Sequence, residues 1–327
     1  MINWGIVGLG NMAHHFANSI NNVENANLVA IASSSKSKSE KFGEQFNLDK
    51  NNRHSNYKDI ISCSNIDAIY ISTLNNLHSD LTKFFLKSGK KVLCEKPYSI
   101  DLEETKEILE LTKTTKNSFF EAIAYVCHPQ TEKLLSLINK GEIGTLKKIE
   151  SNFGFKVKKI RAKSRLFNKN LGGGAIFDLG CYPISFVNLF CDIGTEINIT
   201  KAIGNICETN VENHAELTGY INNDVEVDLK VSFKEDLENC CKIYGSKGLI
   251  KITTPWLPEK KSFLEIHSKE SYYKIFVNSK MSVYKNQIHK VSEIFNNDKN
   301  KILNNLIDIY RSEIILKKIC EWKNLIS

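Results

Sequence analysis

The sequence predicts two domains: an α/β domain on a doubly wound parallel sheet, then an α+β domain whose open mixed sheet is covered by helices on one face. Residues 1–123 alternate short apolar runs with helical periods, which is typical of repeated β-α-β units. Residues 124–327 hold several strand-like runs with few helices between them, which favours an antiparallel or mixed sheet. We therefore set the boundary between residues 123 and 124, and leave open whether the C-terminal helices pack back on the first domain.

The composition is that of a globular protein with room for two cores. The chain has 327 residues, of which 42% are apolar and 25% are charged. Its net charge of +7 rests on lysines that are spread along the chain, which favours a solvated surface over a nucleic-acid-binding one and is compatible with a mild attraction for anionic ligands. No run approaches the roughly 20 apolar residues of a membrane span, so we expect no membrane partner.

The cysteines and the first residues of the chain indicate a compartment. The nine cysteines include no C-x-x-C pair, and no Cys/His cluster has the spacing of metal ligands, so we expect reduced thiols and no metal site. The segment Met1–Gly5 lacks the basic and apolar regions of a secretory signal. Together these features favour a cytoplasmic protein.

A glycine loop follows the first strand. The apolar run Ile2–Val7 leads into the G-x-G-x-x-A motif of Gly8–Ala13, and the residues after it follow a helical period. Gly8 would make the tight turn, Gly10 would let the backbone approach a pyrophosphate, and the helix N-terminus would attract the phosphates. The stretch predicts a Rossmann domain that binds a dinucleotide through Gly8, Leu9, Gly10, Asn11 and Met12.

The end of the second strand bears on the choice of cofactor. A site that prefers NAD places Asp or Glu about 20 residues after the glycine loop, and Ser33 stands there instead. Serine hydroxyls and lysines accept a 2′-phosphate that a carboxylate would repel. We therefore predict NADP(H) over NAD(H), bound through Ser33, Ser34, Lys36 and Lys38; the alternative is a surface loop that does not discriminate between the two.

Two further strands end at the same edge of the predicted sheet, where ligands of such sheets bind. The run Ile66–Ser72 ends in a polar loop, and the run Val92–Cys94 ends in Glu95-Lys96-Pro97. His78 would either close the nicotinamide pocket or cap the next helix. The candidate cofactor contacts from these two ends are Thr73, Leu74, Asn75, His78, Glu95 and Lys96.

The second domain contributes an acid and a phenol. Gly172–Gly174 would open a helix on which Asp178 and Tyr182 lie four residues apart and share a face. Such a pair is either a buried hydrogen-bonded pair or part of a catalytic site. Candidate substrate-binding residues follow the last strand of the first domain or precede the glycine run: Tyr125, His128, Arg165 and Asn168.

Six motifs in order resemble the Gfo/Idh/MocA oxidoreductase family, and the resemblance runs from end to end of the chain. Cys181-Tyr182-Pro183 is similar to the branch of dihydrodiol and xylose dehydrogenases, because much of the family has histidine at position 182. The motifs are Gly8–Ala13, Thr73–His78, Gly89–Pro97, Gly141–Gly144, Gly172–Tyr182 and Tyr244–Gly248.

The resemblance implies an NAD(P)-dependent oxidoreductase of a sugar, polyol or diol, with substrate between the two domains and a homodimer or homotetramer formed through the C-terminal sheet. It implies Lys96 and Asp178 as the polar pair at the substrate carbinol, Tyr182 as general acid/base, and a cis Lys96–Pro97 bond. A tyrosine pKa near 10 is too high for a base at neutral pH, and a nearby ammonium would lower it.

Two alternatives stay open from the sequence. Some relatives of the family hold NAD tightly and cleave glycosides through a transient oxidation. A non-catalytic dinucleotide-sensing protein is the other alternative, although such a protein has no need of Lys96, Asp178 and Tyr182 together.

Overall fold

The computed structural model describes residues 1–115, 118–192, 195–269, 271–297 and 301–326, and its side-chain description leaves out residues 301–310. The chain forms two compact units. The first unit comprises Met1–Ile123 and Tyr284–Tyr310, and the second comprises Ala124–Val283 and Arg311–Ser327. Along the chain, the segments of the two units therefore alternate.

The strands fall into two sheets. The first sheet contains β1 (Ile2–Val7), β2 (Ala26–Ala32), β3 (Arg53–His54), β4 (Ala68–Ile71), β5 (Lys91–Cys94) and β6 (Phe119–Glu121). The second contains β7 (Leu146–Gly154), β8 (Ile197–Ile206), β9 (Glu212–Ile221), β10 (Val225–Ser232), β11 (Cys241–Gly245), β12 (Gly248–Ile252), β13 (Lys261–Ser268) and β14 (Tyr272–Asn278).

The α-helices are α1 (Asn11–Ile20), α2 (Lys36–Gln45), α3 (His78–Lys87), α4 (Leu102–Thr115), α5 (Pro129–Asn139), α6 (Cys181–Asn188), α7 (Val283–Asn296) and α8 (Lys301–Ile326). Within the described ranges, none of them combines the length and the apolar character needed to cross a bilayer.

The first sheet is parallel throughout, in the order β3-β2-β1-β4-β5-β6. This is the doubly wound order that the sequence predicts. The strand order reverses between β1 and β4, so a crevice opens beside the carboxyl ends of these two strands. There Ser72 donates from its backbone nitrogen to the Val7 carbonyl at 2.8 Å and from its hydroxyl to the Gly8 carbonyl at 2.8 Å.

Helix α7 completes the core of the first unit. The Trp4 indole donates to the Ser292 hydroxyl at 3.0 Å, and its ring lies 5.6 Å from the ring of Phe295. Ile288 and Phe295 are fully buried in the same cluster as Trp4 and Phe16. Residues separated by nearly the whole chain therefore share one hydrophobic core.

The second sheet is mixed, in the order β14-β13-β12-β11-β7-β10-β9-β8. Strands β7 and β10 run parallel, and the other described neighbours are antiparallel. The hairpin between β9 and β10 turns at Asn222 and Asn223, both with φ above +50°, as asparagine tolerates. The sequence reading missed β12, β13 and β14, although the alternating burial of β13 is a plain period of two.

The two faces of this sheet differ. Helices α5 and α6 pack on one face, and the residues of β7 that point inward, such as Ile149, are fully buried. The other face carries ion pairs: the Lys148 ammonium lies within 3.2 Å of the carboxylates of Glu150, Glu226 and Asp228. The sheet is thus covered by helices on one face and charged on the other.

Candidate active site

The glycine loop is built for a ligand that comes close to the backbone. Gly8 has φ +89°, and a Cβ on it would approach within 2.8 Å of the backbone of Ser72, so only glycine fits. A Cβ on Gly10 would meet no atom within 4 Å, so the space above the loop is open. Gly10 precedes α1, which has no side-chain cap and no acid in its first turn. The open space and the uncapped N–H groups fit the pyrophosphate of a dinucleotide.

The end of β2 leads into the start of α2. Ser33 is buried, and its hydroxyl accepts from the Ser35 backbone nitrogen at 3.2 Å, whereas Ser34 is exposed and bonds with the Tyr57 hydroxyl. Ser35 caps α2, and the exposed Lys36 and Lys38 stand in the first turn of that helix, which has no acidic residue. A helix N-terminus with two added cations suits an anion.

His78 joins the loops that follow β4 and β5. Its Nδ1 lies 2.8 Å from the Pro97 carbonyl oxygen, and its Nε2 lies 3.2 Å from the Thr73 carbonyl oxygen. Its side chain is buried, and Leu77 occupies the cap position of α3. His78 therefore fixes the spacing of the two loops and does not cap the helix; a contact with the nicotinamide stays a prediction.

The peptide bond between Lys96 and Pro97 is cis, as the resemblance implies. Beside it, the Tyr70 hydroxyl donates to the buried Glu95 carboxylate at 2.6 Å. Burial raises the pKa of Tyr70 well above its usual value, and Glu95 raises it further. The end of β5 thus presents a half-buried Lys96 next to a Glu95 carboxylate that Tyr70 holds in place.

Tyr284, in the first turn of α7, is a neighbour that the sequence reading missed. Burial raises the pKa of its phenol, the Glu95 carboxylate raises it further, and the Lys96 ammonium lowers it. Its ring stacks on His15 of α1. No pattern in the sequence links residue 284 to residue 96.

In the second unit, the segment that carries Asp178 and Tyr182 is not a simple α-helix. Residues Ile176–Gly180 form a π-helical turn, and α6 begins directly after it. Such turns occur mostly as single interruptions and often at functional sites. The sequence reading expected one regular helix and missed this turn.

Asp178 is buried and has a cationic partner. The Arg165 guanidinium donates to its carboxylate at 2.7 Å; the Arg165 side chain is 51% exposed and that of Asp178 only 7%. The structure therefore brings together two residues that the sequence reading placed in different roles.

Tyr182 is half-buried in an aromatic cluster. Its ring lies 5.1 Å from Phe153, 5.6 Å from Trp256 and 6.5 Å from Tyr125. The Trp256 indole donates to the Asn152 carbonyl at 3.1 Å. Trp256 packs, as the sequence reading preferred, and helps to hold the Tyr182 ring in one orientation.

Three predicted substrate residues have local partners. The hydroxyls of Tyr125 and Ser185 lie 2.8 Å apart, and burial raises the pKa of Tyr125 well above its usual value. His128 is fully buried, burial lowers its pKa, and its Nδ1 accepts from the Gln130 backbone nitrogen at the start of α5. Asn168 accepts from Asn170 in a short helical turn. These contacts give each residue a structural role, and substrate contact stays a prediction.

Glu212 and Lys323 support the segment that carries Asp178 and Tyr182. The buried Glu212 carboxylate accepts from the Ile176 backbone nitrogen at 3.1 Å and bonds with the Lys323 ammonium. A Cβ on Gly174 would collide with this carboxylate, which explains the glycine. Lys323 also lies over the Phe177 ring, 4.9 Å from its centre. The sequence reading missed both residues.

Among the described residues, no group of three or more His, Cys, Asp or Glu side chains is arranged to hold a metal ion. None of the nine cysteines, all of which lie in the described part of the chain, forms a disulfide bond.

Comparison with known proteins gives matches over both units. Residues 2–123 match the model of an oxidoreductase family with an NAD-binding Rossmann fold, and residues 131–251 match the GFO/IDH/MocA C-terminal domain. The chain is 28% identical to trans-1,2-dihydrobenzene-1,2-diol dehydrogenase of Xenopus tropicalis over 258 residues, which cover 78% of this chain and 76% of the relative. The mouse (Mus musculus) enzyme of the same name is 28% identical over 259 residues, covering 79% of this chain and 76% of that enzyme.

Solved structures share the fold. A 3-ketoreductase from Actinomadura kijaniata in complex with NADP has a TM-score of 0.84 at 18% identity, covering 98% of this chain and 97% of that one. An aldose-aldose oxidoreductase from Caulobacter crescentus complexed with glycerol has a TM-score of 0.88 at 18% identity, covering 99% and 97%.

Proposed function

The chain belongs to the GFO/IDH/MocA family of oxidoreductases, and from that premise we propose that it is an NADP(H)-preferring dehydrogenase or reductase. Its reaction would move a hydride between the nicotinamide and a carbinol or carbonyl carbon of a sugar, polyol or diol. The observation that carries the proposal is the half-buried Tyr182, whose ring is held in an aromatic cluster four residues after a buried, ion-paired Asp178. A packing tyrosine alone needs no such charged neighbour.

Bound NADP(H) supplies the hydride donor or acceptor. Tyr182 would give its phenolic proton to the substrate oxygen during reduction and take a proton from the substrate hydroxyl during oxidation. The Lys96 ammonium would hold the substrate oxygen and favour the phenolate of Tyr182. Asp178, oriented by Arg165, would accept a hydrogen bond from a substrate hydroxyl.

The preference for NADP(H) is supported by the start of α2. A 2′-phosphate would find the hydroxyls of Ser33 and Ser34 and the two cations of the first turn, with no carboxylate in that turn. We also propose a homodimer or homotetramer through the second sheet, supported by exposed aromatic residues on its outermost strand, such as Phe276 at 70% exposure. A cytoplasmic location is supported by nine cysteines that form no disulfide bond.

The experiment begins with fluorescence titration of the purified protein with NADPH and NADH. It then measures turnover with NADP+ or NADPH on a panel of aldoses, polyols, trans-diols and the matching ketones. We expect tighter binding of NADPH and a change in nicotinamide absorbance with one class of the panel. Protein that is purified with NAD bound and cleaves glycosides with no net absorbance change would replace the proposal with the hydrolase alternative.

A further inference from the structure

One segment of the second unit departs from the even spread of lysine that the sequence otherwise shows. Seven of the fourteen residues 156–169 are Lys or Arg, against 44 of 327 in the whole chain, and none is Asp or Glu. The segment carries a charge as large as the net +7 of the chain, so the remaining residues are balanced. We call it the cationic segment; its cations are Lys156, Lys158, Lys159, Arg161, Lys163, Arg165 and Lys169.

The backbone of the cationic segment is held at both ends. Where it leaves β7, Lys156 donates from its backbone nitrogen to the Asp236 carboxylate at 2.9 Å, and Val157 donates to the Phe233 carbonyl at 2.8 Å. Near its other end the Phe167 side chain is buried and packs on Phe233, with ring centres 5.7 Å apart. The backbone that carries these charges is therefore held in place by the fold, unlike that of a flexible basic tail.

Among the described residues, most of these cations have no acidic partner. On the charged face of the second sheet, each lysine near the centre is paired: Lys148 with three carboxylates, and Lys230 with Glu216 and Glu235. In the cationic segment, by contrast, Arg165 is the one cation that forms an ion pair with a described residue, the buried Asp178. Like charges that are close together and unpaired repel one another, so their concentration in one segment indicates an anionic ligand.

The position of the segment identifies that ligand. The segment includes Arg165, which binds the carboxylate of Asp178. Its cations are therefore linked, through Arg165, to a residue that we assign to the substrate carbinol. A polyanion such as RNA would be expected to meet basic residues over a wider surface, and the rest of this chain is balanced. Arg and Lys in combination are the side chains that bind phosphate groups.

We propose that the cationic segment binds the phosphate group of the substrate, so that the substrate is a phosphorylated sugar or polyol or a sugar nucleotide. The proposal rests on the proposed function, whose substrate class it narrows. The cations would hold the phosphate outside the reacting region, and that binding energy would orient the carbinol carbon.

The test measures the binding of inorganic pyrophosphate by calorimetry, using full-length protein saturated beforehand with NADP+. The test variant is Lys158→Gln/Lys159→Gln/Arg161→Gln/Lys163→Gln. The matched control is Lys50→Gln/Lys87→Gln/Lys140→Gln/Lys147→Gln, which removes four exposed cations that also have no acidic partner among the described residues. We expect the test variant to weaken pyrophosphate binding about tenfold or more and the control to leave it unchanged.

Three outcomes would overturn the proposal: no binding of pyrophosphate by the wild type, equal loss in test and control variants, or loss of heparin binding with pyrophosphate binding retained. The last would identify a polyanion partner instead. Competition against pyrophosphate by glucose 6-phosphate or by UDP-glucose distinguishes a sugar phosphate from a sugar nucleotide. Because the assay needs no turnover, its failure is separate from a failure of the proposed function, which would appear as a lack of oxidoreductase activity.

Discussion

The guanidinium of Arg165 lies 2.7 Å from the carboxylate of Asp178, and the two differ sharply in exposure. The exposed arginine supplies the counter-charge that lets an acid stay buried within a π-helical turn. Arg165→Gln should therefore destabilise the protein by about 1–3 kcal/mol and lower kcat/KM. Thermal unfolding and steady-state kinetics measure both effects. The control is Lys169→Gln, which removes a charge four residues along the chain that pairs with no carboxylate of the described residues. Equal melting temperatures for the two variants would contradict the role of Arg165 as the counter-charge of Asp178.

Tyr182→Phe tests the general acid/base. The variant keeps the ring in its aromatic cluster and removes the hydroxyl alone, so kcat should fall about 10²- to 10⁴-fold with NADPH binding unchanged. Tyr220→Phe, on an exposed tyrosine of β9, is the control. Near-normal turnover by Tyr182→Phe, with an inactive Lys96→Ala, would exchange the roles of the two residues.

Lys96→Gln tests whether the ammonium tunes the phenol. A positive charge favours the phenolate and lowers its pKa, so its removal should move the rise of kcat/KM for oxidation to higher pH. The pH profile with NADP+ measures the shift, and Lys87→Gln is the control. In a double-mutant cycle, Lys96→Gln should lower kcat/KM by a smaller factor in the Tyr182→Phe background than in the wild type. Strictly additive losses of transition-state stabilisation would mean that Lys96 does not act through the Tyr182 phenol.

Lys36→Gln/Lys38→Gln tests the selection of the cofactor. Removing two cations from the N-terminal turn of α2 should raise the Kd for NADPH about tenfold or more and leave that for NADH nearly unchanged. Fluorescence titration measures both constants, with Lys41→Gln/Lys50→Gln as the control. An equal change in the two Kd values would mean that these lysines do not discriminate between NADPH and NADH.

Lys323→Met tests whether the Glu212–Lys323 ion pair supports the segment that carries Asp178 and Tyr182. It leaves the buried Glu212 carboxylate without its ammonium, which should cost about 3–5 kcal/mol, and adding Glu212→Gln should restore part of the loss. The urea unfolding midpoint measures both. Lys317→Met on the same helix removes an exposed pair with Glu196 and should cost under about 1 kcal/mol. Equal losses in the two lysine variants would show that burial of Glu212 does not matter here.

What could be predicted from the sequence was local or periodic. The turn at Gly8 is predicted by the glycine motif around it, and the cis peptide bond before Pro97 is predicted by a family motif. The hydrogen bond between Glu212 and Lys323 joins residues 111 positions apart, and the Lys96 ammonium lowers the pKa of Tyr284 across an even longer separation in the chain. No spacing rule in the sequence predicts either interaction. The π-helical turn could not be predicted, because a helix that holds one extra residue in a single turn has no distinctive amino-acid composition.

The packing of α7 against Trp4 has a consequence for how the chain is made. A ribosome delivers β1 to β6 first, yet the core of that sheet includes Ile288, Val291 and Phe295. These residues emerge only after Ala124–Val283, the segment that carries all the described strands of the second sheet. The face of the first sheet that carries Trp4 therefore stays uncovered while about half of the chain is synthesised. Chaperone binding to nascent chains should be strongest over that interval.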